Sequence, residues 1–226
     1  MKILCVSDQI DPLIYTNSLK SRYADVDLVL CAGDLPMDYI DFIVSTLNKP
    51  AVFIFGNHHT NEYRFYKTGR TSEYDIGDEN EIHSAGAAYI DKKVCIEEGL
   101  IIAGLGGTIR YNNGENQFTN FQMKLRILGM IPALLFNKVF RGRYLDILLT
   151  HASPLGIHDR EDKCHWGFEC FLWFMRVFKP KYLVHGHIHL YDLSAVRTTK
   201  YRDTMVINAY SHYLIDTSEN VTGDDA

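Results

Sequence analysis

Apolar runs of four to six residues, each bounded by polar or glycine-containing punctuation, recur at Ile3 to Val6, Val26 to Cys31 and Ala51 to Phe55. Runs of that length predict buried strands. Between them the spacing turns helical. One helix opens at Asp11-Pro12, an N-cap residue followed by proline at the first helical position, and extends to about Arg22; the next covers Met37 to Leu47. Strand, helix, strand, helix, strand is the pattern of a parallel sheet with crossover helices. Thr60 to Ser84 is polar and without clear period, which predicts a surface excursion. Further strands follow at Ala87 to Asp91, Val94 to Glu97, Leu100 to Leu105, Leu145 to Leu149, Lys181 to Val184 and Met205 to Ala209.

Two stretches break the alternation. Phe118 to Tyr144 is apolar and basic at once and predicts helix interrupted near Pro132, an insertion that is a packed helix pair, a lid or an interfacial helix. Its apolar run is shorter than the roughly 20 residues that span a bilayer. Trp166 to Phe178 predicts an aromatic-rich helix facing the core. The polar, acidic tail from Thr217 to Ala226 is expected to be disordered, which leaves 1–216 as a single domain.

Composition narrows the partners more than the fold. A net charge of -5 and a pI near 6.0 argue against a general nucleic-acid or anionic-membrane surface, although a local basic patch survives such a sum, and no stable membrane insertion is expected. Five cysteines form no CxxC pair and sit mostly in apolar runs, so they read as free thiols in a reducing compartment. With no signal-peptide pattern at Met1 to Asp8, the expected location is cytoplasmic, and the sequon Asn220-Val221-Thr222 is read as chance.

The chemistry gathers at the strand ends. Taken in order these carry Asp8, Gly33-Asp34, Gly56-Asn57-His58-His59, His151 and Gly186-His187-Ile188-His189. In a parallel sheet the ligand crevice lies beyond the carboxyl ends of the strands, so these residues are expected to converge. Taken singly, each has another explanation. Asp8 and Asp34 could cap helices, Asn57 could serve a turn, and the histidines could be hydrogen-bonded loop residues.

These five blocks, in this order, resemble the calcineurin-like metallophosphoesterase superfamily, whose motifs run D-x-H, G-D, G-N-H-[DE], [GT]-H and G-H-x-H. The resemblance covers residues 1 to about 210, and the stretches GGTIRYNNG and GIHDREDKCHWGF look like those of a bacterial branch. It implies a four-layer α/β/β/α sandwich with mixed sheets. It also implies a metal-dependent phosphoesterase acting on a small phosphomonoester or phosphodiester through a metal-bound hydroxide, with two divalent ions (Mn, Fe, Zn, Ni or Mg) as cofactors. By the same resemblance Asp34 bridges the ions, Asn57, His151 and His187 complete one site, and Asp8 and His189 serve the other. His58 lies near the leaving oxygen as general acid or transition-state stabiliser. Arg110, Tyr111 and His158 are candidates for substrate binding at the rim. Arg110 serves there either as a phosphate fork or in a surface salt bridge, and His158 and His165 with Asp159 and Asp162 could form a polar network.

Two positions depart from the pattern. Ile10 stands where the first motif supplies a histidine, so the Asp8 and His189 site is expected to be the weaker, with Asp11 as a substitute ligand the minority reading. His59 stands where an acid is usual. The missing histidine also keeps open a non-catalytic metal-binding or protein-binding module on the same fold. The basic flanks of Ile127 to Phe140 keep open a membrane-surface hydrolase of a lipid phosphate.

Overall fold

A computed structural model describes residues 1–58, 62–64, 66, 86–192 and 194–218. Lys2–Ser7 (β1), Leu28–Cys31 (β2), Ala51–Phe53 (β3) and Ala87–Tyr89 (β4) run parallel to one another. Ser211–Asp216 (β13) closes their sheet antiparallel to β1, in the order β13-β1-β2-β3-β4. The second sheet has the order β11-β12-β10-β9-β6-β5, from Val94–Glu97 (β5), Leu100–Leu105 (β6), Ile147–Thr150 (β9), Tyr182–His185 (β10), Thr198–Tyr201 (β11) and Thr204–Asn208 (β12). Its four inner strands are parallel, and β5 and β11 pair antiparallel at the edges. Thr108–Ile109 (β7) and Gln117–Phe118 (β8) form a small separate ladder.

Period-two alternation explains the layering. Ile3, Cys5, Leu28, Leu30 and Val52 on one sheet meet Ile102, Ile147, Leu149, Val184 and Ile207 on the other. The alternate residues of the first sheet, among them Leu4, Val6, Val29 and Phe53, pack beneath helices Leu19–Arg22 (α1) and Met37–Leu47 (α2). Those of the second, Ala103, Leu148, Leu183 and Val206, pack beneath Asn120–Arg141 (α3) and Glu169–Phe178 (α4). Three cores thus separate four layers, α/β/β/α, and strands buried on both faces read as continuous apolar runs.

Three expectations need correction. The helix expected from Asp11 is helical only over Leu19–Arg22. Asp11 Oδ1 accepts the Leu13 N–H at 2.7 Å, and its buried Oδ2 accepts from Ser211 Oγ at 2.5 Å and from His212 on β13. This side-chain turn competes with helix and anchors the chain to a distant strand. Second, α3 continues through Pro132 without a break. The carbonyl that proline leaves without a donor belongs to Leu128, which with Pro132 lies on the exposed side of the helix, where a missing helix bond costs least. Third, the aromatic helix begins at Glu169 rather than Trp166, which is exposed. One face of the 118–144 region joins the core, since Met123, Ile127, Met130 and Leu134 pack there beneath α3 and α4, and the opposite face is exposed.

Thr217 N–H donates to the Met1 carbonyl at 2.9 Å, so the expected tail is tied at its first residue; 219–226, the sequon, His59 and most of the Thr60 to Ser84 excursion lie outside the described residues. Among the described residues no helix is long and apolar enough to cross a membrane.

Candidate metal centre

Strands β1, β2, β3, β9 and β10 all point their carboxyl ends to one rim, and the first residues beyond them turn back sharply. Asp8, Asp34 and His187 sit in the left-handed region, with φ of 65°, 55° and 67°. That region is uncommon for residues with a side chain, though Asp and His tolerate it better than most, and it is concentrated at functional sites. The motif glycines have a steric cause: a Cβ on Gly56 would overlap Asp34 Oδ1 and His151 Nε2, and one on Gly186 would overlap Ser7 Oγ and Asp8 Oδ2. Asp34 does not cap a helix. Pro36 holds the N-cap position of α2 without a side-chain bond, and Asp34 Oδ1 instead accepts the His58 N–H at 2.9 Å.

Asp34, His151 and His187 bring one ligand atom each to within 4.8 Å of one another. His151 is fully buried, and its Nδ1–H donates to the Ala32 carbonyl at 2.8 Å, which leaves the lone pair on Nε2. That Nε2 stands 3.1 Å from Asp34 Oδ2 and has no hydrogen-bond partner among the described residues. Asn57 donates through Nδ2 to the Tyr111 hydroxyl at 3.1 Å, and its buried Oδ1 also has no partner among the described residues. His187 donates its backbone N–H to both Asp8 oxygens, at 3.0 and 2.8 Å, and its Nε2–H to the Cys164 carbonyl at 2.8 Å, so its lone pair is on Nδ1.

The electrostatics match. Burial opposes ionisation of Asp34, but the His151 imidazole and the His58 N–H outweigh it and hold the carboxyl well below its usual range. Burial likewise opposes a charge on His151, yet the Asp34 carboxylate lifts its pKa to about 9. Burial, then repulsion from His151, lowers His187 to about 4. The spot therefore calls for one positive charge, as a proton on His151 or as a cation. A buried polar atom without a partner costs about 1–3 kcal/mol. Here an imidazole nitrogen of that kind stands 3.1 Å from a carboxylate, and with His187 and the amide oxygen of Asn57, next in sequence to Gly56, the donor set fits a divalent ion.

The second set is leaner. His189 Nε2 is 3.8 Å from Asp8 Oδ1, while its Nδ1 shares a hydrogen bond with the Tyr191 hydroxyl at 2.9 Å and its ring stacks on Tyr210. Asp8 is already an acceptor for Ser7 Oγ and the His187 N–H. Ile10 is 43% exposed, and Asp11 is spent on β13, so neither adds a side chain.

At the rim, His58 has a side chain 72% exposed with Nε2 3.9 Å from Asp34 Oδ2. Tyr111 reaches the site through Asn57, and the exposed Arg110 donates to the Gln117 carbonyl at 3.3 Å. His158, expected at the rim, is turned inward: Nδ1 meets His185 Nε2 at 2.9 Å and Nε2 meets Thr199 Oγ1 at 2.8 Å. Asp159 binds the Gly156 and Gly167 N–H groups, and Asp162 binds His165 and Cys164, so the expected single network is three separate ones. Tyr191, Tyr210 and the Cys164 carbonyl were not foreseen. Their roles depend on contacts between distant segments and leave no local signal.

A model of the family described as calcineurin-like phosphoesterase matches residues 1–191. The fold is similar to that of TT1561 of Thermus thermophilus, with a TM-score of 0.59 and 11% identity over 93% of this chain and 89% of that one. Another crystal structure is similar with a TM-score of 0.65 and 13% identity, covering 96% and 95%. Identities this low speak for shared fold alone. No curated protein matches in sequence.

Proposed function

Because the chain belongs to the calcineurin-like phosphoesterase family, a family of metal-dependent phosphoric ester hydrolases, we propose that it hydrolyses a small phosphomonoester or phosphodiester at the Asp34 rim. The observation that carries this is that buried His151 Nε2, 3.1 Å from an Asp34 carboxylate held in its charged form, and buried Asn57 Oδ1 both have no hydrogen-bond partner among the described residues. Asp34, Asn57, His151 and His187 would hold one divalent ion, and Asp8, Asp34 and His189 the other, with Mn, Fe, Zn, Ni and Mg all compatible. Such ions supply water activation at neutral pH and positive charge for the non-bridging oxygens.

The protein groups divide the remaining work. Tyr111 sets the Asn57 amide with its oxygen toward the ion site, and the Ala32 carbonyl fixes the His151 tautomer. His58 is anchored to Asp34 through its backbone while its imidazole stays at the open rim, placed to protonate the leaving oxygen or to donate to a phosphoryl oxygen. Arg110 uses one guanidinium nitrogen on Gln117 and keeps others for phosphate. The five cysteines are free thiols, which suits a reducing compartment, and the cytoplasm is the proposed location.

A second reading, a metal-binding module without turnover, is favoured by the lean Asp8 and His189 set. Turnover of p-nitrophenyl phosphate and its bis ester, with Mn, Fe, Zn, Ni and Mg each supplied, separates the two. Hydrolysis lost in Asp34→Asn and His151→Gln supports the hydrolase. Metal binding with no turnover under any of the five ions supports the module.

A further inference from the structure

Helix α3 is apolar on two opposite faces. At 100° per residue, Met123, Ile127, Met130 and Leu134 point into the core, and Phe121, Leu125, Leu128, Phe136, Val139 and Phe140 centre on the other side. The outer residues are open: Phe121 is 68%, Val139 74% and Phe140 71% exposed. No charged side chain interrupts this stripe, which extends roughly 28 Å along the helix. A contiguous apolar surface of that length marks a docking site.

The charges choose the occupant. The helix contains no Asp or Glu, although the whole chain carries a net charge of -5. Lys124 flanks the stripe along one edge; Lys138, on the same side but further round toward the core face, also donates to the Gly142 carbonyl at 2.9 Å, and Arg141 in the last turn lies opposite the stripe. Arg126 is committed to Asp91 and is not part of this edge. The two lysines extend over aromatic rings, Lys124 over Trp173 and Lys138 over Tyr144, with Nζ 5.8 and 5.5 Å from the ring centres. Apolar stem, cationic tip and amphipathic ring together form the arrangement that sits at a bilayer headgroup boundary. A second copy of the chain would bring its own lysines and no carboxylate from the helix to neutralise them.

We infer that the outer face of α3 docks the protein on an anionic lipid surface, lying in the headgroup plane without crossing the bilayer. The inference is independent of the hydrolase reading.

The test is co-flotation of the full chain at low salt with vesicles of phosphatidylcholine, alone or mixed with phosphatidylglycerol, alongside sedimentation of the free protein. The expected result is flotation with the anionic vesicles only, weakened by salt. Lys124→Gln with Lys138→Gln should lower the bound fraction several-fold. Phe136→Ser with Phe140→Ser should lower it roughly tenfold or more at unchanged circular dichroism. The inference is overturned if the protein stays unbound with anionic vesicles, floats equally with neutral ones, or floats undiminished as the Phe136→Ser, Phe140→Ser variant. It is also overturned if the free protein is a dimer that this variant dissociates, which assigns the stripe to a second copy.

Discussion

The Asn57 amide nitrogen donates to the Tyr111 hydroxyl at 3.1 Å, and this one bond sets which end of the amide is left for another partner. Asn57 Oδ1 is left buried and without a partner among the described residues, which is what the proposed ligand role asks of it. Tyr111→Phe removes the acceptor but keeps the ring. Metal affinity of the tighter site should fall about tenfold to a hundredfold, the usual cost of losing a group that orients a ligand. Calorimetric titration with Mn reads this directly, and an unchanged isotherm would detach Tyr111 from the site.

The two ion sites should differ. The Asp34, Asn57, His151 and His187 set is built from buried groups, whereas the Asp8 and His189 set lacks a side chain at Ile10 and cannot borrow Asp11. Titration should show one tight and one weaker equivalent. Ile10→His should tighten the weaker one alone; two equally tight equivalents in the native protein would contradict the assignment.

Gly56→Ala tests how closely the site is packed. A Cβ there runs into Asp34 Oδ1 and His151 Nε2, both of which are held in place by other bonds. Metal binding should be lost, with a stability cost of about 1–3 kcal/mol from overpacking. Retained binding with native stability would mean that the rim yields.

Arg126 and Asp91 form an ion pair at 2.5 Å between α3 and the start of the second sheet, with Asp91 Oδ1 also accepting the Gly106 N–H. Arg126→Met leaves that carboxylate buried without its cation and should destabilise by about 3–5 kcal/mol. Asp91→Asn together with Arg126→Met should recover much of the loss in urea unfolding, since no uncompensated charge then remains.

Stability should also depend on pH through His158 and His185. Burial lowers the pKa of both; for His158 the fall is from 6.5 to about 4, with Asp159 opposing, and for His185 the repulsion of His158 adds to burial. Below pH 6.5 the unfolded chain takes up protons that the folded chain refuses. Stability is therefore full above about 6.5 and is lost as pH falls toward about 4, by an amount on the order of 3 kcal/mol for His158 alone. Urea midpoints measured across that window should slope downward with acid, and His158→Gln should flatten the slope.

Strand positions and the residue types at the strand ends were legible in the chain, because each rests on local information, whereas the four layers were implied only by the family resemblance. A strand buried on both faces must be a continuous apolar run, and in such sheets a ligand crevice lies where those runs stop, which is where this chain carries its carboxylates, amide and imidazoles. The half-exposed edge strands Thr198–Tyr201 and Ser211–Asp216 carry no such run and were not foreseen. Tertiary structure alone decided which atoms were left with free lone pairs. Asp11 was drawn away by Ser211 and His212, about 200 positions along the chain, His158 was turned inward by His185 and Thr199, and the tautomer of His151 was set by a carbonyl 119 residues earlier. A side chain's type is written in its own position, but its hydrogen-bond partner is whichever distant group the fold brings within 3 Å or so, and no local pattern records that.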